Sequence, residues 1–209
     1  MEIPNNVLSI ISRIDKSEDK WKALYMGAWG FSNKIKDQFE NTEKWNKKIR
    51  FNLLASKNNQ IHIYTPKQLY SILTSKDGEF TIGHLQTLFS LFEDLLNETS
   101  KILCPNELNT GKWQNMKLFF EQTETNDILS ETQIKELKLA KETRNCYIHN
   151  GSKVNQRWLN AYQDAKGNPI ALLSDDLNKG FPNLFHQIEE WHELIVNTTS
   201  NIKTKIENK

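Results

Sequence analysis

The sequence predicts a mostly helical protein, and three observations carry that prediction. Apolar residues recur at helical spacing over residues 80–103, where they form a face wide enough for the centre of a bundle. A second stripe of this kind covers residues 181–205. Between them, Ser130 followed by Gln133 has the spacing of a capping box, which marks a helix start. With 209 residues, the chain is long enough to bury a core.

The chain is expected to divide into an N-terminal helical extension, residues 1–76, and a helical bundle, residues 77–209. The aromatic residues of the second helix in the extension are expected to pack in a core, since aromatics at this density usually do. The extension is predicted to contain helices over residues 7–14 and 21–39 and a short strand over residues 60–65 that ends at Pro66. A further helix is predicted after Pro66 and before the Asp77-Gly78 turn.

The bundle is predicted to contain a short helix over residues 112–122 and a long helix over residues 130–151. Asn150 and Gly151 tolerate a positive φ, which suits the end of the long helix. The pattern then changes, and residues 157–162 and 170–173 are candidate strands on either side of a Gly-Asn-Pro turn. The fold class is therefore a mostly helical bundle with a small β-hairpin between its last two helices and a helical extension at the N-terminus.

The formal net charge of +1 hides an uneven distribution. Residues 1–76 carry about +6 and the remainder about −5, which is a weak indication of a polyanionic partner. The most basic stretch contains Lys44, Lys47, Lys48 and Arg50, with aromatic residues among them. A groove for single-stranded nucleic acid combines cations and aromatic rings in this way, so these four residues are candidate RNA contacts. A solvated helix surface explains the same pattern.

Several classes of protein are not supported by the sequence. The first residues lack the features of a signal peptide, and no apolar run is long enough to span a bilayer, so we expect a cytoplasmic protein without a membrane partner. Cys104 and Cys146 form no C-x-x-C pair, and no glycine-rich nucleotide loop or H-E-x-x-H motif occurs. We therefore expect neither a metal nor a cofactor.

A polar cluster stands near the end of the long predicted helix. Four residues, beginning with Asn145, separate Arg144 from His149, which gives the pattern R-x(4)-H. This resembles the R-x(4–6)-H motif of the HEPN superfamily (higher eukaryotes and prokaryotes nucleotide-binding domains), whose residue after the arginine is often Asn, Asp or His. The resemblance covers roughly residues 80–205. It implies a HEPN-like helical bundle and a metal-independent endoribonuclease, in the manner of bacterial toxins and anti-phage effectors.

The residue types suit that chemistry. RNA can be cleaved without a metal when its own 2′-hydroxyl attacks the adjacent phosphate, which needs a base, an acid and a cation. Imidazole transfers protons near pH 7, so His149 is the candidate acid or base. Guanidinium is permanently charged and matches phosphate oxygens, so Arg144 is the candidate clamp. Asn145 would orient the ring or bind phosphate, and Asn150 is a further candidate RNA contact.

One helix does not easily bring both groups to one phosphate. Over five residues of an ideal helix, Arg144 and His149 lie about 140° apart around the axis and about 7.5 Å apart along it. Members of the superfamily solve this by dimerising, so the resemblance implies a homodimer with the site at its interface. An antitoxin or a sensor protein is a possible further partner.

Three other interpretations compete with catalysis at this motif. Arg and His near a helix end commonly pair with an acid or with the last carbonyls of the helix. Cys146 and His149 stand three residues apart, which permits a Cys–His nucleophile pair. The alternative function is a non-catalytic helical module that binds RNA, a nucleotide or a protein.

Overall fold

The computed structural model describes residues 2–52, 61–74, 79–104, 113–122, 129–181 and 183–209. These residues are mostly helical, which confirms the predicted class. The helices are α1 (Asn5–Asp15), α2 (Ser17–Phe39), α3 (Pro66–Thr74), α4 (Glu79–Leu103), α5 (Trp113–Gln122), α6 (Glu131–His149), α7 (Gln156–Lys166) and α8 (Leu184–Glu207), and a 3-10 turn spans Leu177–Gly180. No helix among the described residues combines the length and the apolar character needed to cross a bilayer.

The chain divides into two compact units. One comprises Met1–Asp19 and Thr81–Lys209, and the other comprises Lys20–Phe80. The sequence predicts one boundary after residue 76, whereas this division assigns α1 to the C-terminal unit. The reason is packing, because α1 contacts α8 and Asn6 donates a hydrogen bond to Glu98 of α4 at 2.7 Å.

The unit Lys20–Phe80 contains most of α2, a two-stranded sheet and α3. Strands β1 (Ile49–Asn52) and β2 (Ile61–Tyr64) pair antiparallel, with Ile49 opposite Tyr64. Strand β2 lies where the sequence predicts a strand. The expectation that the α2 aromatics pack in a core holds for Trp21 but not for Trp29 and Phe31, which are exposed.

The core of the other unit is built on α4 and α8. The apolar stripes predicted for these two helices are confirmed, because their long aliphatic and aromatic side chains are buried. The fully buried residues of α4 and α8 include Leu85, Leu88, Phe89, Phe92, Leu95, Leu96, Ile188, Ile195 and Ile202.

Helix α6 begins and ends through local interactions. The backbone N–H of Gln133 donates to the Ser130 hydroxyl at 3.3 Å, and the Gln133 side chain accepts from the Ser130 backbone at 2.8 Å, which confirms the capping box. At the other end, Gly151 and Ser152 have positive φ values of 56° and 62°, and the backbone N–H groups of Asn150 and Ser152 both donate to the Cys146 carbonyl. The prediction that Asn150 and Gly151 close the helix is therefore confirmed, with Asn150 as the cap residue at φ −126° and Gly151 at positive φ.

The predicted hairpin after α6 is wrong. Residues 157–162 belong to helix α7, and residues 170–173 form turns rather than a strand. Asn155 caps α7 by accepting from the backbone N–H of Trp158 at 2.9 Å. Trp158, Ala161 and Tyr162 are all buried and stand at helical spacing. In a run of so few apolar residues, the period does not distinguish a helix from a strand. Two helices, not one, therefore follow the motif helix.

An aromatic cluster joins α7 to the start of α8. The Trp158 ring lies 4.9 Å from the Tyr162 ring and 5.6 Å from the Phe181 ring, measured between centroids, and Phe181 contacts Trp191 at 5.6 Å. The indole N–H of Trp158 donates to Thr143 of α6 at 3.0 Å. The Trp158 ring also lies against the backbone of Gly180, which has no room for a side chain.

Gly180→Ala is expected to lower the free energy of unfolding by about 1–3 kcal/mol, because overpacking a full core forces neighbours apart. A methyl group at position 180 would lie 2.7 Å from Cζ2 of Trp158 and closer still to Cη2. The measurement is urea unfolding monitored by tryptophan fluorescence.

Gly83→Ala in α4 is the matched control. Nothing lies within 4 Å of a methyl group there, so that variant should gain about 0.5–1 kcal/mol from helix propensity. Equal effects of the two substitutions would contradict this account of Gly180.

Candidate active site

The predicted catalytic residues lie on the last turns of α6. Arg144 is partly buried, with 18% of its side chain exposed, and Asn145 is half-buried. His149 is the last residue of the helix and is exposed. Among the described residues, the side chains of Asn145 and His149 have no hydrogen-bond or ion-pair partner. One α6 thus presents a solvent-facing imidazole and a largely enclosed guanidinium.

Arg144 is held by an acidic residue of α4. Its Nη1 lies 3.4 Å from Oε2 and 3.5 Å from Oε1 of Glu93. Lys141, one turn earlier on α6, places its Nζ 3.1 Å from Oε1 of the same carboxylate. The exposed fractions of the Glu93 and Lys141 side chains are 15% and 7%. We call these three side chains the Glu93 cluster.

The Glu93 cluster leaves Arg144 incompletely paired. Its Nε is buried and has no hydrogen-bond partner among the described residues. Leaving a buried donor unpaired costs free energy, since the group has lost water without gaining an acceptor. The cluster formally carries +1, because two cations share one carboxylate. Because 18% of the Arg144 side chain is exposed, this excess positive charge can attract an anionic ligand.

Sequence reasoning did not find Glu93 or Lys141. A signal for Glu93 exists, since it stands four residues after Phe89 and three before Leu96, within reach of the buried face of α4. An acidic residue at such a position needs a basic partner. The sequence does not say which residue supplies it, because the partner lies on another helix.

The burial of Cys146 does not favour a nucleophile pair with His149. The Cys146 side chain is fully buried, and this burial raises the pKa of its thiol. A raised pKa keeps the thiol protonated, whereas the thiolate is the reactive form. The geometry therefore favours a packing role for Cys146.

The other candidate RNA contacts belong to the unit Lys20–Phe80 or have a structural role in the turn after α6. Asn150 is exposed, and its side-chain amide donates to the Lys153 carbonyl at 2.7 Å, closing the turn after α6. Lys44, Lys47 and Lys48 are exposed after α2, where Lys47 pairs with Glu43 at 3.0 Å. Arg50 lies in β1. These four basic residues belong to the unit Lys20–Phe80.

A buried histidine pair lies apart from the motif. Nε2 of His84 in α4 is 2.9 Å from Nδ1 of His192 in α8, and the two rings stack with centroids 5.0 Å apart. Glu18 at the start of α2 approaches Nε2 of His192 at 3.8 Å. Burial, and then the charge of His192, lower the pKa of His84 to about 3, while Glu18 opposes the shift. His84 is therefore neutral across the physiological range.

No group of three or more His, Cys, Asp or Glu side chains that could hold a metal ion occurs in the described part of the chain. Comparison of the chain with models of protein families, with curated proteins and with solved structures found no match.

The His84 pair makes stability depend on pH. The folded-state pKa lies below the ordinary value of 6.5, so the unfolded chain binds more protons between these values. The stabilisation is present above pH 6.5 and is lost as the pH falls towards 3. Between pH 7 and pH 4 the free energy of unfolding should fall by up to about 3 kcal/mol from this group.

The measurement is urea unfolding at several pH values for the wild type and His84→Gln. The variant should show a shallower decline at low pH. His186→Gln, which replaces an exposed histidine of α8, is the matched control and should retain the wild-type decline. A full wild-type decline in His84→Gln would show that other groups cause it.

Proposed function

We propose that the chain is a metal-independent endoribonuclease of the HEPN type, with a composite site of Arg144 and His149 at a homodimer interface. One observation carries the proposal. The exposed His149 and a partly exposed Arg144 lie on the last turns of one helix, and the carboxylate that pairs with Arg144 also neutralises Lys141. Arg144 therefore retains positive charge for a phosphate.

Each residue has a role in the proposed reaction. The 2′-hydroxyl of RNA attacks the adjacent phosphorus, and the bond to the 5′-oxygen breaks. His149 transfers protons between the attacking and departing oxygens, since imidazole exchanges protons near neutral pH. Arg144 stabilises the negative charge that develops on the phosphate oxygens. Asn145 orients the imidazole or binds phosphate.

In this proposal, a second copy of the chain supplies the histidine that acts on a phosphate bound by Arg144. On one ideal helix the two side chains point about 140° apart, so a phosphate bound by Arg144 does not readily reach His149 of the same copy. Two α6 helices related by a two-fold axis bring Arg144 of one copy near His149 of the other.

The resemblance also suggests a setting for the activity. A toxin or anti-phage effector in the cytoplasm would halt growth by cutting RNA. An antitoxin or sensor protein would restrain or trigger it. Lys44, Lys47, Lys48 and Arg50 would be RNA contacts within the unit Lys20–Phe80.

Arg144→Ala and His149→Ala are each expected to lower the rate of RNA cleavage about 10²-fold or more, because each removes one of the groups that act on the phosphate. The measurement is cleavage of total RNA by purified protein in excess EDTA. His149→Ala should keep the wild-type melting temperature, since His149 is exposed.

Arg157→Ala and His186→Ala are matched controls, because both replace exposed residues of the same types on α7 and α8. They should cleave like the wild type. Wild-type rates in both motif variants would exclude this site.

Mixing the two inactive variants tests the composite site. A mixed dimer of Arg144→Ala and His149→Ala has one site that combines the intact Arg144 of one copy with the intact His149 of the other. Unfolding and refolding the variants together should restore up to about one quarter of wild-type activity, since half the dimers are mixed and each has one intact site of two. No recovery, with mixed dimers shown to form, would place both residues of a site in one copy.

A non-catalytic helical module is the second candidate function, and one contact favours it. Arg144 is paired with Glu93 within a single chain, as arginines with a purely structural role commonly are. This function predicts RNA, nucleotide or protein binding without turnover. The wild-type RNA gel in EDTA separates the two candidates.

A further inference from the structure

We infer that Glu93 is a positioning residue for Arg144 and that Lys141 is its counter-charge, so that the Glu93 cluster sets the phosphate clamp of the proposed ribonuclease. The inference rests on the proposed function. It adds two residues on the inner side of α6 that lie outside the R-x(4)-H motif.

The contacts to Glu93 fix one end of the guanidinium. Both Glu93 oxygens approach the same atom, Nη1, at 3.4 Å and 3.5 Å. Nε is buried and has no acceptor among the described residues, so a ligand does not reach it in this conformation. The exposed 18% of the Arg144 side chain is the part that a phosphate can contact. Glu93 thus holds Arg144 through Nη1 while part of the side chain stays open to a ligand.

The balance of charge explains why Lys141 belongs to the Glu93 cluster. Alone with Arg144, the Glu93 carboxylate would cancel the charge that a phosphate needs. Lys141 lies closer to the carboxylate than Arg144 does, 3.1 Å against 3.4 Å, and its side chain is the most enclosed of the three. One carboxylate thus faces two cations, so Arg144 is positioned without its charge being fully cancelled.

Rigid placement matters because the clamp acts on a transient charge. Arg144 has a long side chain with several rotatable bonds, and a freely moving guanidinium would have to be ordered in each reaction cycle. Packing against an α4 carboxylate orders it beforehand. Loss of Glu93 should therefore reduce the rate of the chemical step more than the affinity for RNA.

Glu93→Ala and Glu93→Gln test the inference through a split between kcat and binding. In Glu93→Ala we expect kcat for an RNA oligonucleotide to fall about 10²-fold, as misplacement of a reacting group does. Glu93→Gln keeps an oxygen that accepts from Arg144 and should recover part of that loss. The Kd for a 2′-O-methyl oligonucleotide of the same sequence, which binds but cannot be cleaved, should change less than about threefold because phosphate contacts elsewhere remain.

Two further variants complete the set. Glu98→Gln removes another α4 carboxylate, which pairs with the exposed Lys101, and should leave kcat unchanged. Unfolding of Glu93→Gln, Arg144→Gln and the double variant should show coupling. The denaturation midpoint of the double variant should then lie above the value obtained by adding the two single shifts.

Each outcome has one meaning. Wild-type kcat in folded Glu93→Gln and Glu93→Ala, or additive midpoints, would overturn the positioning role while the ribonuclease stands. If Glu93→Ala fails to fold, the partial loss of kcat in Glu93→Gln decides. A wild-type protein that cleaves no RNA would overturn the proposed function, and this inference with it.

Discussion

The ion pair between Glu93 and Arg144, shared with Lys141, is the contact on which the proposed site depends. It joins the centre of α4 to the last turns of α6, and all three side chains are largely enclosed. Breaking such a contact by removing one partner leaves a buried charge, which is costly, so the helices are held in one relative position. The helix that carries the motif is therefore anchored on its inner side by charge, while its C-terminal end stays open to solvent.

The opposite side of α6 is fixed by hydrogen bonds and an ion pair. Trp158 of α7 donates to Thr143, and Trp191 of α8 donates to Glu136 at 3.0 Å, while Glu136 also pairs with Lys166 at 2.7 Å. After α6 the chain turns through two residues of positive φ, and Val154 exchanges backbone hydrogen bonds with Ser174 and Asp175. These contacts join the segment after α6 to the segment after α7, and His149 lies exposed at the end of α6.

Local rules predict much of this fold from sequence. The capping box at Ser130 and the apolar stripes of α4 and α8 involve residues a few positions apart, so the sequence contains all the information they need. The rest depends on distant residues. The run containing Trp158 and Tyr162 is too short to distinguish helix from strand by period alone. Glu93 acquires its proposed role from two cations that stand about fifty residues further along the chain, and the sequence alone cannot pair them.

The chemical identity of the cleaved ends tests the central claim most directly. Attack by the 2′-hydroxyl, assisted by His149 and Arg144, leaves a 2′,3′-cyclic phosphate on one fragment and a 5′-hydroxyl on the other. We predict these ends, by mass spectrometry of a defined oligoribonucleotide cut by the purified protein in EDTA, and no cut by Arg144→Ala under the same conditions. Fragments with 3′-hydroxyl and 5′-phosphate ends, or intact RNA after prolonged incubation with the wild type, would contradict the account.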